Sequence, residues 1–281
     1  MPTTHPLVYG VLELRVPFSP SLTVPDSAHR LATILGDLLP VLRQEQSTTL
    51  APDPNGVMTL APGGMGWRLL SVDSTRNLVL SNTSIHYETT RYPGYEVFCE
   101  EIRRCLSAIA EVAAPVGIDR LGLRYINEIR PEAAPTTYQA WSRSIAPTLV
   151  EAFTELETTM GEACSRRSDN RCELMTAEST LQFAMPENTA LTLRMANLQG
   201  PGIVGNEPLR RAPVPDPGPF YVIDFDGYWP RQAAEVRAFD VDDMLGLIEQ
   251  VHSPVKSAFN WATTADYRAD AGVGAGRQAA E

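Results

Sequence analysis

The stretch Ile118-Asp119-Arg120-Leu121-Gly122-Leu123-Arg124-Tyr125-Ile126-Asn127-Glu128-Ile129 sets an arginine into a run that alternates like a β-strand. Side chains two apart on a strand share a face. Leu121, Leu123, Tyr125, Asn127 and Ile129 therefore fall on one side, and Gly122, Arg124, Ile126 and Glu128 on the other. A guanidinium among apolar neighbours needs a carboxylate or a wet groove, because an unpaired buried charge is costly. The first strand candidate, Leu7 to Val16, offers a partner. Its Val8, Gly10, Leu12 and Leu14 share one face, and Glu13 and Arg15 lie on the other. If the two strands are neighbours, Glu13 pairs with Arg124 and the arginine is scaffolding. The functional alternative is an anion clamp on the sheet face, with Arg124 gripping a carboxylate or phosphate. Ordinary ion pairs outnumber ligand sites, so the scaffold reading leads.

Around this strand the pattern is mixed. Pro17 and Pro20 close the first strand, and a helix follows with Asp26 or Ser27 as cap and Leu31, Ile34, Leu35, Leu38 and Leu39 as its stripe. Pro40 ends it. Residues 47–66 read as loop, with a hairpin option at Asn55-Gly56. Strands are expected over Trp67 to Asp73 and Asn77 to Thr90, joined by Ser74-Thr75-Arg76, and a helix over Glu96 to Ala113. The order strand, helix, two strands, helix, strand describes an α+β unit with a largely antiparallel sheet.

After a linker at Pro131 to Pro135, the second half repeats this logic more loosely. It has a helix from Tyr138 to Glu157 and strands at Arg171 to Ala177, Leu181 to Ala184, Ala190 to Asn197 and Phe220 to Asp226. A proline-rich loop spans Gly200 to Pro219. The acids of Asp240-Val241-Asp242-Asp243 suit a helix start, Met244, Leu247, Ile248 and Val251 give that helix a stripe, and Pro254 interrupts it. The expected division is an N-terminal α+β half (1–132), a C-terminal α+β half (136–268) and a disordered tail (269–281).

Composition narrows the function. At 281 residues, with 43% hydrophobic and 20% charged residues, the chain is an ordinary globular protein with a sizeable core. No apolar run reaches the roughly 20 residues of a membrane span, and Met1 to Pro6 lacks the regions of a secretory signal. A cytoplasmic protein without membrane contact is the expectation. The net charge of −11 argues against nucleic acid as partner, since basic residues occur only as the pairs Arg103-Arg104, Arg166-Arg167 and Arg210-Arg211. Cys99, Cys105, Cys164 and Cys172 form no C-x-x-C and read as reduced thiols.

Candidate chemistry is sparse. Asp224 and Asp226 share a strand face and suit Mg²⁺, which takes one or two carboxylates plus waters and phosphates. The plainer reading is a strand end meeting solvent, with Gly227 starting a turn. His252, in the last helix, serves as a base only if that helix packs beside Asp224 or Asp226. There is no G-x-S-x-G elbow and no phosphate-binding glycine loop, because Pro62-Gly63-Gly64 precedes a strand rather than a helix. Tyr228-Trp229-Pro230 reads as core or as an interface hot spot.

Several segments carry a resemblance. They are His5-Pro6-Leu7-Val8 through Glu13-Leu14-Arg15, Tyr92-Pro93-Gly94-Tyr95, the box Leu121-Gly122-Leu123-Arg124-Tyr125-Ile126-Asn127, and Ile223-Asp224-Phe225-Asp226 with His252 and Phe259 beyond it. Over roughly residues 5–265 the chain resembles a sporadically distributed bacterial family of unknown function. That resemblance transfers no activity or catalytic residue. It implies a horizontally moved accessory gene, phage defence included.

The expectation is then a non-enzymatic binding or accessory protein that needs no cofactor and holds a protein or a small anionic ligand. Arg124, Glu13, Arg15, Tyr228 and Trp229 are its candidate contacts, and a homodimer is compatible with the sequence. The alternatives are a metal-assisted hydrolase or phosphoryl-transfer enzyme built on Asp224, Asp226 and His252, and a defence-associated sensor or effector.

Overall fold

A computed structural model of the chain describes residues 6–52, 58–131, 135, 137–151, 179–199, 202, 208–211 and 218–272. The fold class is α+β. One sheet holds nine strands: β1 (Leu7–Arg15), β2 (Val41–Pro52), β3 (Met58–Leu70), β4 (Arg76–Leu80), β5 (Ser84–Thr89), β7 (Arg120–Ile129), β8 (Ser179–Ala184), β9 (Ala190–Gln199) and β10 (Pro219–Trp229). Their order across the sheet is β2-β3-β4-β5-β1-β7-β10-β9-β8, and every pairing is antiparallel. A separate ribbon pairs β6 (Gly117–Ile118) with β11 (Arg237–Ala238). The helices described from end to end are α1 (Pro25–Ile34), α2 (Tyr95–Val112), α3 (Tyr138–Trp141), α4 (Val241–Ala262) and α5 (Ala265–Asp270). Among the described residues, no helix is long and apolar enough to cross a membrane.

The helices cover one face of the sheet because the strands alternate. Leu12 and Leu14 of β1, Leu121, Leu123 and Tyr125 of β7, and Ile223 and Phe225 of β10 point into one core with Phe98, Ile102 and Ile109 of α2 and Leu247, Ile248 and Val251 of α4. Such a core supplies most of the folding free energy, at about 25 cal/mol per Å² of apolar surface buried. Gly227 lets α4 come close. A Cβ there would lie 2.9 Å from the Val251 carbonyl oxygen and 3.1 Å from Val255 Cγ2. One end of the opposite face is covered where Leu209 and Leu198 pack on Tyr9, Val11, Ile126, Phe220 and Val222.

β7 lies in the middle of the sheet, between β1 and β10, so strands from either side of the 132/136 division share one sheet. Several elements differ from the sequence reading. Residues 47–66, taken as loop, belong largely to β2 and β3. Residues 53–57, including the Asn55-Gly56 turn, lie outside the described residues. Thr48 pairs with Pro62 at a register shift in the edge hairpin, a place where a missing backbone N–H is tolerated. The single strand expected over Asn77 to Thr90 is β4 and β5, split at Ser81-Asn82-Thr83, where the Ser81 hydroxyl accepts from the Thr83 and Ser84 amides. α1 starts at Pro25 with Val24 in the capping position, ahead of Asp26 and Ser27. The helix expected over Tyr138 to Glu157 is interrupted: α3 ends at Trp141, Ile145 pairs with Thr263, and helix resumes over 147–151, with residues 152–157 outside the described residues. Asp240 caps α4 as its acids suggested, accepting from the Asp243 amide, and α4 continues through Pro254. β10 runs on past Asp226 to Trp229, so Gly227 starts no turn. The strand expected over Arg171 to Ala177, Cys164 and Cys172 lie outside the described residues, as do residues 273–281 of the expected tail. α5 occupies the first part of that tail, as far as Asp270.

Candidate functional site

The sequence candidates divide between the two faces of the sheet. On the face away from α2 and α4, Arg124 lies opposite Asp226 on β10 and Val11 on β1. Its partner is Asp224, two residues along β10 from Asp226: Nε donates to Oδ1 at 2.8 Å and Nη2 to Oδ2 at 2.7 Å. Arg194 of β9 donates to the same Oδ2 at 3.2 Å. Asp224 is 5% exposed, so both guanidinium groups compensate a buried carboxylate. The hydrogen bonds to Asp224 hold the Arg124 pKa above its ordinary value, against the opposing effect of burial.

The expected pairing of Arg124 with Glu13 is therefore corrected. The β1–β7 register puts Glu13 opposite Gly122, and its carboxylate faces Arg120 at 3.4 Å. Arg15 pairs with Asp119 at 2.8 Å. Arg120 also lies over the Tyr228 ring, 5.4 Å from its centroid, and the Tyr228 hydroxyl accepts from Gln182 Nε2 at 2.7 Å. Trp229 points to the other face, where it is buried, with Arg237 over its ring. It is a core residue and is not available as an interface anchor.

Asp226 shares a face with Asp224, as its spacing requires. Burial raises its pKa and outweighs the lowering effect of Arg120, Arg124 and Arg194 around it. Both Asp224 oxygens carry guanidinium hydrogen bonds. Among the described residues, no group of three His, Cys, Asp or Glu side chains is placed to hold a metal ion. His252 lies on the opposite face, against Tyr95 and Tyr125, so the sheet separates it from both aspartates.

His252 instead belongs to a pocket of about 460 Å³ between α2, α4 and the ends of β1, β7 and β10. The chain builds it locally. Gly94, at φ 103°, takes a left-handed turn into α2 that a side chain would strain, and no side chain caps that helix. Tyr92 and Tyr95 flank this turn. The Tyr95 ring stacks on His252 with centroids 3.6 Å apart and planes 7° apart, and its hydroxyl donates to Glu249. Tyr125 stands edge-on to His252 at 5.8 Å and to Tyr92 at 5.6 Å, and Phe225 and Phe259 meet edge to face at 6.3 Å.

Two polar atoms inside this aromatic wall have no hydrogen-bond partner among the described residues, the Tyr125 hydroxyl and His252 Nδ1. Tyr125 is 3% exposed. Burial pushes its pKa well up, helped by the Tyr92 hydroxyl, although that pair falls short of hydrogen-bond geometry. Burial also lifts Tyr92 to about 12. Burial lowers His252 to about 4, and Lys256 pushes the same way against Glu249, so the imidazole is neutral at pH 7. Asn127 lines the pocket and donates from Nδ2 to the Ile223 carbonyl at 3.2 Å. The rim carries Lys256, the single lysine of the sequence, and Glu96, both exposed.

Sequence reasoning missed this pocket. Its signals were present separately: Tyr92-Pro93-Gly94-Tyr95 before a helix, Tyr125 in the box, and the His252/Lys256 pair one helical turn apart. Neither a model of a known protein family nor a curated protein matches the chain.

Proposed function

We propose that the protein is a non-enzymatic binding protein that holds a small, largely apolar anion in the pocket between α2, α4 and the sheet. The observation that carries this reading is the pocket itself. It is a concave site of about 460 Å³ with walls of Tyr92, Tyr95, Tyr125, Phe225 and Phe259. Ligand sites are typically of this kind, apolar with a few placed polar groups. Among the described residues, Lys256 is the only cationic side chain lining it, and the uncapped N-terminus of α2 adds partial positive charge on the same side. Glu96 opposes them from the exposed first turn of α2. A carboxylate against Lys256 with its apolar body inward satisfies the rim and the walls together.

Binding is preferred over catalysis because the acids and the histidine do not meet. Asp224 is tied to Arg124 and Arg194, and His252 stands among aromatic rings across the sheet. The two halves, residues 1–132 and 136–268, are read as α+β units joined edge to edge at β7 and β10. The resemblance to a sporadically distributed bacterial family rests on the box residues and would make the chain a horizontally carried accessory protein.

The test is calorimetric titration of the full chain with phenylacetate and with its neutral amide. Saturable binding of the acid, weaker binding of the amide, and loss of that preference in Lys256→Gln support the reading. No binding of either compound at millimolar concentration sinks it.

A further inference from the structure

Buried side-chain polar atoms normally find a partner, and leaving one unmade is costly. Two such unpartnered atoms, the Tyr125 hydroxyl and His252 Nδ1, line a single pocket. We infer that the ligand is an aromatic carboxylate whose ring carries a hydrogen-bonding group, such as a phenolic hydroxyl, set against Tyr125 and His252. This rests on the reading of the pocket as an anion site and adds the ring chemistry to it.

Three features converge on that class. The Tyr125 hydroxyl is on a residue 3% exposed and His252 is half-buried, whereas Lys256 stands exposed at the rim. A ligand spanning the two needs a charged head at one end and a polar group at the other, with an apolar body between. The walls suit a flat body. His252 is stacked on Tyr95, and Tyr125 stands at 85° to His252, which leaves ring faces and edges for offset or edge-on contact. The polar pair is chemically complementary to a hydroxyl. A tyrosine hydroxyl donates or accepts, and a neutral imidazole offers one ring nitrogen as donor and the other as acceptor. A phenol satisfies either tautomer. An aliphatic acid would leave both atoms orphaned and the ring contacts unused.

The experiment compares 4-hydroxyphenylacetate with phenylacetate, a pair differing by one hydroxyl, in calorimetric titrations of the full chain. The hydroxy acid is expected to bind at least about tenfold more tightly, since a site built around a hydroxyl rejects the analogue lacking it. Tyr125→Phe should remove most of that preference, bringing the two acids to similar affinities, with the thermal melt of the variant checking that it is folded. Equal affinities for the two acids would overturn the inference while the pocket reading stands, with water serving the two atoms instead. A preference that survives both Tyr125→Phe and His252→Leu would also overturn it. Failure of both acids to bind would remove the pocket reading and this inference together.

Discussion

The guanidinium of Arg124 lies side-on against the carboxylate of Asp224, Nε to Oδ1 at 2.8 Å and Nη2 to Oδ2 at 2.7 Å, across 100 residues of sequence. This bidentate pair bonds the middle of β7 to β10 and so ties the first half of the chain to the second. Asp224 is buried, whereas the Arg124 side chain is 42% exposed. Removing the arginine therefore costs through the carboxylate left behind, more than through the loss of a surface cation. Arg124→Ala should destabilise the protein by about 1–3 kcal/mol, with Arg194 still holding part of the charge. Urea melts of the single and double alanine variants at 124 and 224 measure it. A coupling energy near zero would show that the pair contributes nothing beyond its neighbours.

At the covered end of the same face, Glu128 is 3% exposed and takes salt bridges from Arg130 and Arg211. Arg211 lies in the loop segment 208–211, so this carboxylate anchors that segment to β7. Glu128→Ala removes the carboxylate from two partly buried guanidinium groups and should cost about 1–3 kcal/mol. Arg211→Ala should have a smaller effect on thermal unfolding but speed proteolysis within the loop. Unchanged cleavage in Arg211→Ala would remove the anchoring role.

Gly227 faces the backbone of α4. Gly227→Ala puts a methyl 2.9 Å from the Val251 carbonyl oxygen, where flexible side-chain atoms cannot absorb the clash. Separation of α4 from the sheet should cost about 1–3 kcal/mol. Because Phe225, His252 and Val255 share the pocket with these elements, the variant should also weaken ligand binding. A Tm equal to that of the unsubstituted protein would contradict this packing.

His252 gives a pH dependence of known sign. Its folded pKa, about 4, lies below the ordinary histidine value of 6.5, so the fold favours the neutral ring. The associated stability is present above pH 6.5 and is lost progressively as the pH falls towards 4, where the folded protein also takes up the proton. Glu249 and Lys256 on α4, Glu96 and Tyr95 on α2 and Tyr125 on β7 surround this site. With allowance for partial exposure, the loss is about 1–3 kcal/mol. Urea midpoints measured across this window should fall more steeply for the unsubstituted protein than for His252→Leu. Parallel curves would mean that the imidazole is not the group responsible.

The box strand was legible because alternation is local. Leu121, Leu123 and Tyr125 on one face and Arg124 on the other require no knowledge of neighbours, and the shared face of Asp224 and Asp226 follows from the same rule. The α2 and α4 stripes were equally plain. The edge hairpin β2–β3 was not, because its prolines and glycines carry the composition of a loop and are tolerated only where the ladder is interrupted or ends. The break between β4 and β5 lay in three small polar residues that a long alternating run concealed.

What the chain alone determined, then, was which side chains stand together along each strand and helix, since backbone geometry sets that within a few residues. Tertiary structure decided which strands became neighbours. β7 has a strand on each side, and both bring acids to the face of Arg124, Glu13 on β1 and Asp224 on β10. Register gave Glu13 to Arg120 and Asp224 to Arg124. The pocket belongs wholly to this second kind of information. Tyr92, Tyr125, Phe225 and His252 come from four separate segments, and only long-range packing of α2 and α4 on one sheet face encloses them around unpartnered polar atoms.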